Sequence, residues 1–119
     1  MLSTRATGAA HRGLGHFLIQ RATAVLLAIA AVYALARWAV CPPADYAAWR
    51  AWIGVAPMRI GTMLVIVALL AHAWIGLRSV YLDYLRGLRV RVTVSALTAM
   101  GLIAMLAWAG EILLWGFKP

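Results

Sequence analysis

Three stretches of the chain stay apolar for roughly the twenty residues a helix needs to cross a hydrocarbon layer about 30 Å thick. They cover about 17–40, 58–82 and 92–117, with charge-free interiors at 22–36, 60–77 and 92–110. The runs are continuous. They lack the period-two alternation of a barrel strand, so strands are a poor reading. The pattern predicts an all-α integral membrane protein with three transmembrane helices running up-down-up, in one domain over 1–119. Pro42-Pro43 ends the first span, because a prolyl ring cannot continue a helix. Asp45 then opens a short amphipathic stretch holding Tyr46, Trp49, Trp52 and Ile53, which suits an anchor in the headgroup layer. There is no internal repeat, low-complexity run or second domain.

Composition narrows the class. Hydrophobic residues make up 66% of the 119 and charged residues 12%. Mean hydropathy is +0.90. A small soluble domain needs a polar shell larger than this chain can build, so a soluble enzyme is excluded. The net charge of +8 reports membrane orientation rather than nucleic acid. A lone Cys41 rules out an intrachain disulfide framework, c-type haem attachment and a cysteine-ligated zinc or iron–sulfur site within the chain. Val40 before it is the wrong residue for lipoprotein processing. Ala34-Leu35-Ala36 has the look of a signal-peptide cleavage site, but the first run is read as a retained span.

Arginines orient the spans. Arg5, Arg12 and Arg21 lie on the N-terminal side, and Arg78, Arg86, Arg89 and Arg91 cluster around the second connection. Arg37, Arg50, Arg59 and Lys118 fall on the other side. The bias places the N-terminus in the cytoplasm and the C-terminus outside.

The chemistry concentrates on the second span. His72 lies twelve residues after Ile60, about 18 Å along a helix. An ionisable side chain at that depth normally has a partner, and neutral imidazole is a common iron ligand. Gly61, Val65, Ala68, His72, Gly76, Ser79 and Asp83 fall on one stripe of the helix. Small residues a turn above and below the imidazole leave room for a flat macrocycle. They equally suit close helix packing, with His72 bonded to a neighbouring helix. His11 and His16 lie at or before the start of the first span, so a six-coordinate haem would take its second axial ligand from another protein chain. Arg21 either pairs with a haem propionate or snorkels to the headgroups. Asp83 and Tyr84 lie at the cytoplasmic end of the second span. There a phenol can donate to a quinone carbonyl and a carboxylate can pass a proton. The plainer reading of the local pattern is an interfacial belt tyrosine and an Asp83–Arg86 pair at i+3. Thr93, Ser95, Thr98, Gly101 and Gly110 mark the third span for helix packing, and Glu111 lies near the outer interface.

Arg21-Ala22-Thr23-Ala24, His72-Ala73-Trp74-Ile75-Gly76 and Asp83-Tyr84, at these spacings, resemble the hydrophobic membrane anchor of bacterial succinate dehydrogenase. The resemblance covers about 13–92; the third helix matches only as a generic span. It implies an all-α anchor packing with a partner three-helix protein, the cytochrome b membrane subunit, with a b-type haem (haem b) shared between them. His72 would be one axial ligand of the haem iron, and Arg21 would lie near the propionates. Tyr84, and more loosely Asp83, would border the ubiquinone site. The membrane pair would dock an iron–sulfur protein and a flavoprotein to the bacterial inner membrane, on the cytoplasmic side, for electron transfer from succinate to quinone. The chain alone would not be catalytic. Two positions depart from the family. Gly15 stands where relatives carry a histidine, with His16 one place later, and Arg78 replaces an apolar residue. The alternatives are a fumarate reductase anchor, a holin-like pore former and a scaffold without cofactor.

Overall fold

Each apolar run is a helix in the computed structural model of the chain, which describes residues 6–117 and, among these, side chains from residue 13 onward. Helix α1 spans Ala6–Val40, α2 Tyr46–Gly54, α3 Ala56–Tyr84 and α4 Leu88–Trp115. Three of them, Gly13–Val40, Ala56–Tyr84 and Leu88–Trp115, are long and apolar enough to cross a membrane. No strand occurs among the described residues. Arg5 and Lys118, two of the orienting cations, lie outside the described residues, and so do the side chains of His11 and Arg12.

The helices overrun the apolar segments at the end that carries most of the arginines. Helix α1 has 35 residues, about 52 Å at 1.5 Å per residue. Hydrophobicity marks where lipid begins, whereas helix continues as long as residues favour it. Arginine and alanine are good helix formers. So α4 starts at Leu88, inside the basic cluster, right after Gly87 as N-cap. The turn from α3 to α4 therefore holds three residues, 85–87.

The short interfacial helix forms as expected. Asp45 caps it, its carboxylate accepting from the Ala48 backbone N–H at 2.7 Å, which satisfies an amide with no helical partner. Tyr46 and Trp49 stack at 5.8 Å between centroids, and the Arg37 guanidinium lies 5.1 Å from the Trp52 ring centroid. Arg37 also donates to the Cys41 carbonyl, just past the end of α1. At the same end, Arg50 donates to the Gly116 carbonyl at 2.6 Å and its guanidinium sits 5.7 Å from the Phe117 centroid. The end of α4 therefore meets α2, as an up-down-up path requires.

Helix α3 is the middle of the assembly. It packs against both α1 and α4, while α2 touches its N-terminal end. Residues of α3 meeting α1 include Met58, which accepts from the Tyr33 hydroxyl, and His72. Those meeting α4 include Arg59, Met63 and Tyr81. At 100° per residue the two sets centre on opposite sides of the helix. The three spans thus stand in a row, not a triangle, within an envelope of 66 × 28 × 23 Å.

A row buries little. Ala68, Gly110 and Leu113 are the only buried residues among those described. The accessible surface is 9309 Å², against about 6,300 Å² for a compact soluble chain of the same mass. Lipid can cover an apolar surface without cost. The row also leaves two broad faces that other helices can occupy.

Candidate functional site in the seam between the first and third helices

His72 is half-buried and faces α1. Its Nδ1 lies 3.2 Å from the Thr23 hydroxyl and its Nε2 lies 3.5 Å from the Gln20 amide nitrogen. Thr23 is itself held by its own helix. Its hydroxyl donates back to the Ile19 carbonyl at 2.7 Å, with the Gln20 carbonyl at 3.1 Å. Gln20 Oε1 is buried without a hydrogen-bond partner, a costly state for an amide oxygen. Gly76, one turn below His72, faces the same glutamine: a methyl added there would come within 3.9 Å of Gln20 Nε2. Ala68, one turn above, is 5% exposed.

The stripe of small residues around His72 is thus where α1 approaches α3. Of the two readings left open by the spacing, the cross-helix hydrogen bond is realised within the chain. It does not occupy the imidazole fully. The Gln20 contact, at 3.5 Å, is at the outer limit of hydrogen-bonding distance. No three His, Cys, Asp or Glu side chains cluster among the described residues. A metal held by His72 therefore takes its other ligands from elsewhere, as the iron of a porphyrin does. One imidazole at this depth, fixed by Nδ1 and lightly engaged at Nε2, fits that donor set.

Arg21 does not join this group. It is exposed, one residue round from Gln20, and its guanidinium lies 5.3 Å from the Phe17 ring centroid. Asp83 shares the His72 stripe about 16 Å further along the axis and is exposed. Among the described residues it forms no ion pair, so the i+3 pair with Arg86 is absent. Tyr84 is 80% exposed, at the last turn of α3. Tyr81, by contrast, is half-buried and its hydroxyl lies 2.8 Å from that of Thr98 on α4. Two neighbouring tyrosines thus have different fates: Tyr81 ties helices together, and Tyr84 is presented outward.

Arg78, which departs from the family pattern, meets the histidine displaced by one place from the family position. Arg78 donates from Nη1 to His16 Nε2 at 3.4 Å. His16, Gln20 and Thr23 form one stripe on α1, at i, i+4 and i+7, opposite Arg78 and His72. The motifs alone assign no role to Gln20 or Thr23. Their polarity at helical spacing inside an apolar run is the signal that would have found them.

The opposite seam, between α3 and α4, holds two apolar grooves of about 290 Å³ each. One is lined by Val67, Leu70 and Trp74 of α3 with Leu102 and Leu106 of α4. The other lies beside Arg59 and Leu113.

Known proteins give an independent comparison. Residues 2–110 match the family model described as the succinate dehydrogenase/fumarate reductase transmembrane subunit. The chain is also 34% identical over 102 residues to the succinate dehydrogenase hydrophobic membrane anchor subunit of Coxiella burnetii (strain RSA 493 / Nine Mile phase I). The match covers 86% of this chain and 89% of that protein.

Proposed function

The chain belongs to the succinate dehydrogenase/fumarate reductase transmembrane subunit family, and on that premise we propose that it anchors a succinate:quinone oxidoreductase through a haem and a quinone site, both shared with a second membrane protein. Membership itself makes it a multi-pass membrane component of an enzyme complex. The finer reading rests on one observation above all: a half-buried imidazole in the middle of the central span, oriented by the neighbouring helix.

Each residue then has a task. His72 would hold the iron of a b-type haem through a ring nitrogen. A cytochrome b partner, a three-helix protein packed on the faces the row leaves open, would supply the protein ligand this chain lacks. When bound, the haem supplies a one-electron reservoir between the soluble subunits and the quinone. Arg21, exposed on the flank of α1, offers a fork of N–H donors to a propionate. Tyr84, exposed at the end of α3, donates its phenol proton in a hydrogen bond to a quinone carbonyl. Asp83 beside it accepts and passes protons from the aqueous side, since reducing a quinone to its quinol takes up two electrons and two protons. The arginine distribution puts this end of α3, and the N-terminus, on the cytoplasmic side. There an iron–sulfur protein and a flavoprotein would dock and feed in electrons from succinate.

The test is His72→Ala in membranes that contain all subunits. The low-spin b-haem spectrum is expected to disappear or change its ligand signature. An unaltered spectrum would leave His72 as a packing residue and favour a scaffold role. Tyr84→Phe is expected to slow quinone reduction by an order of magnitude or more, while succinate oxidation by an artificial acceptor persists. Equal loss of both activities would mean misassembly instead.

A further inference from the structure

We propose that Thr23 is a positioning residue that holds the His72 ring in its Nδ1–H tautomer, so that Nε2 carries the free lone pair. What the tautomer serves rests on the haem-ligand reading above; the tautomer itself follows from hydrogen bonds within this chain.

A threonine hydroxyl has one proton to donate and two lone pairs to accept with. Thr23 has three neighbours within reach: the Ile19 carbonyl at 2.7 Å, the Gln20 carbonyl at 3.1 Å and His72 Nδ1 at 3.2 Å. Carbonyl oxygens only accept. The Ile19 distance is the usual one for an O–H···O bond, so the single proton is committed there. Toward His72 the hydroxyl can then only accept, and Nδ1 must bring the proton. A neutral imidazole carries one N–H, which leaves Nε2 bare.

The other ring nitrogen agrees. The Gln20 amide nitrogen, a donor, lies 3.5 Å from Nε2 and offers it a weak N–H. The far end of the same amide, Oε1, is buried with no partner, so nothing pins that side chain over the ring. The Thr23 hydroxyl is held by the Ile19 carbonyl at 2.7 Å, whereas the Gln20 amide oxygen has no hydrogen-bond partner. The first fixes the ring, and the second leaves Nε2 only a long contact.

The opposite tautomer would need the Thr23 proton turned away from Ile19, exchanging a 2.7 Å bond for a 3.2 Å one. Ligating histidines commonly donate their second N–H to an oxygen, which sets ring orientation and strengthens the lone pair given to the metal. Here that oxygen belongs to a different helix, so ligand strength is coupled to how closely α1 and α3 pack.

Two measurements decide it. Nitrogen-15 NMR of the full chain in detergent without haem, labelled at histidine, is expected to show His72 protonated at Nδ1 and bare at Nε2. Thr23→Ser should keep that state, and Thr23→Val, similar in shape but without the oxygen, should lose it. A wild-type ring protonated at Nε2 overturns the proposal. In the assembled complex, Thr23→Val is expected to weaken haem binding by about 10-fold or more and to raise the haem midpoint potential, with Thr23→Ser close to wild type. Unchanged affinity and potential in Thr23→Val overturn it too. The haem-ligand reading fails separately, through an intact haem spectrum in His72→Ala, and leaves the NMR result standing. If Thr23→Val does not assemble, the wild-type tautomer and the Thr23→Ser complex still give the answer.

Discussion

The two seams of α3 are built differently. Toward α1 it presents His72 to a threonine and a glutamine, with Gly76 allowing close approach. Toward α4 it presents Met63, Val67, Leu70 and Trp74 to apolar side chains. The polar contacts on that side lie near its ends: the Tyr81–Thr98 hydroxyl pair at one and Arg59, 3.5 Å from the Leu113 carbonyl, at the other. Polar groups in the middle of a membrane are expensive and need a reason. The α4 seam avoids them at midspan and holds by shape. The α1 seam accepts them at midspan, around one imidazole. We take the first seam as support and the second as the place where chemistry is organised.

That contrast is open to attack from both sides. The largest expected effect is on the α1 seam, where His72→Ala should abolish or transform the haem signal even if the complex assembles. Next is Gly110→Leu on the α4 seam. A Cβ added at Gly110 would lie 3.4 Å from the Met63 methyl. A methyl alone is absorbed by that flexible side chain, but a full leucine overpacks the seam, at about 1–3 kcal/mol. Thermal denaturation of the detergent-solubilised complex should show the loss, while the haem spectrum per assembled complex stays unchanged. A spectrum altered as much as by His72→Ala would show that the seams are not separate. The smallest effect is expected from Tyr81→Phe, which removes one interhelical hydrogen bond, about 0.6 kcal/mol on average in membranes. Quinone reduction should be nearly normal, in contrast to Tyr84→Phe three residues along. A Tyr81→Phe defect in quinone kinetics would break the distinction between the two tyrosines.

Much of this was legible in the chain. Apolar length announces spans, so α1, α3 and α4 were visible, and the Asp45 cap with its aromatic follow-up announced α2. His72 stood out because an ionisable group is conspicuous in an apolar run. The row arrangement was not legible. Ala, Gly, Leu and Val line α3 on almost every side, so periodicity cannot say which face meets which neighbour. The Gln20–Thr23 partnership was hidden for a related reason: Thr23 reads as part of a motif and Gln20 as part of a helix end, and only the α1–α3 contact joins them to His72. The apolar run of α1 starts about eleven residues after its helix does, because the hydropathy pattern marks the lipid boundary and says little about where hydrogen bonding stops.

The most direct test of the account is electron–nuclear double resonance on the ferric haem proposed for the assembled complex, with nitrogen-15 histidine supplied only in this chain. One strongly coupled nitrogen from this chain is expected, and it should vanish in His72→Ala. No coupled nitrogen, or one that survives the substitution, would contradict the claim that the α1–α3 seam exists to hold an iron ligand.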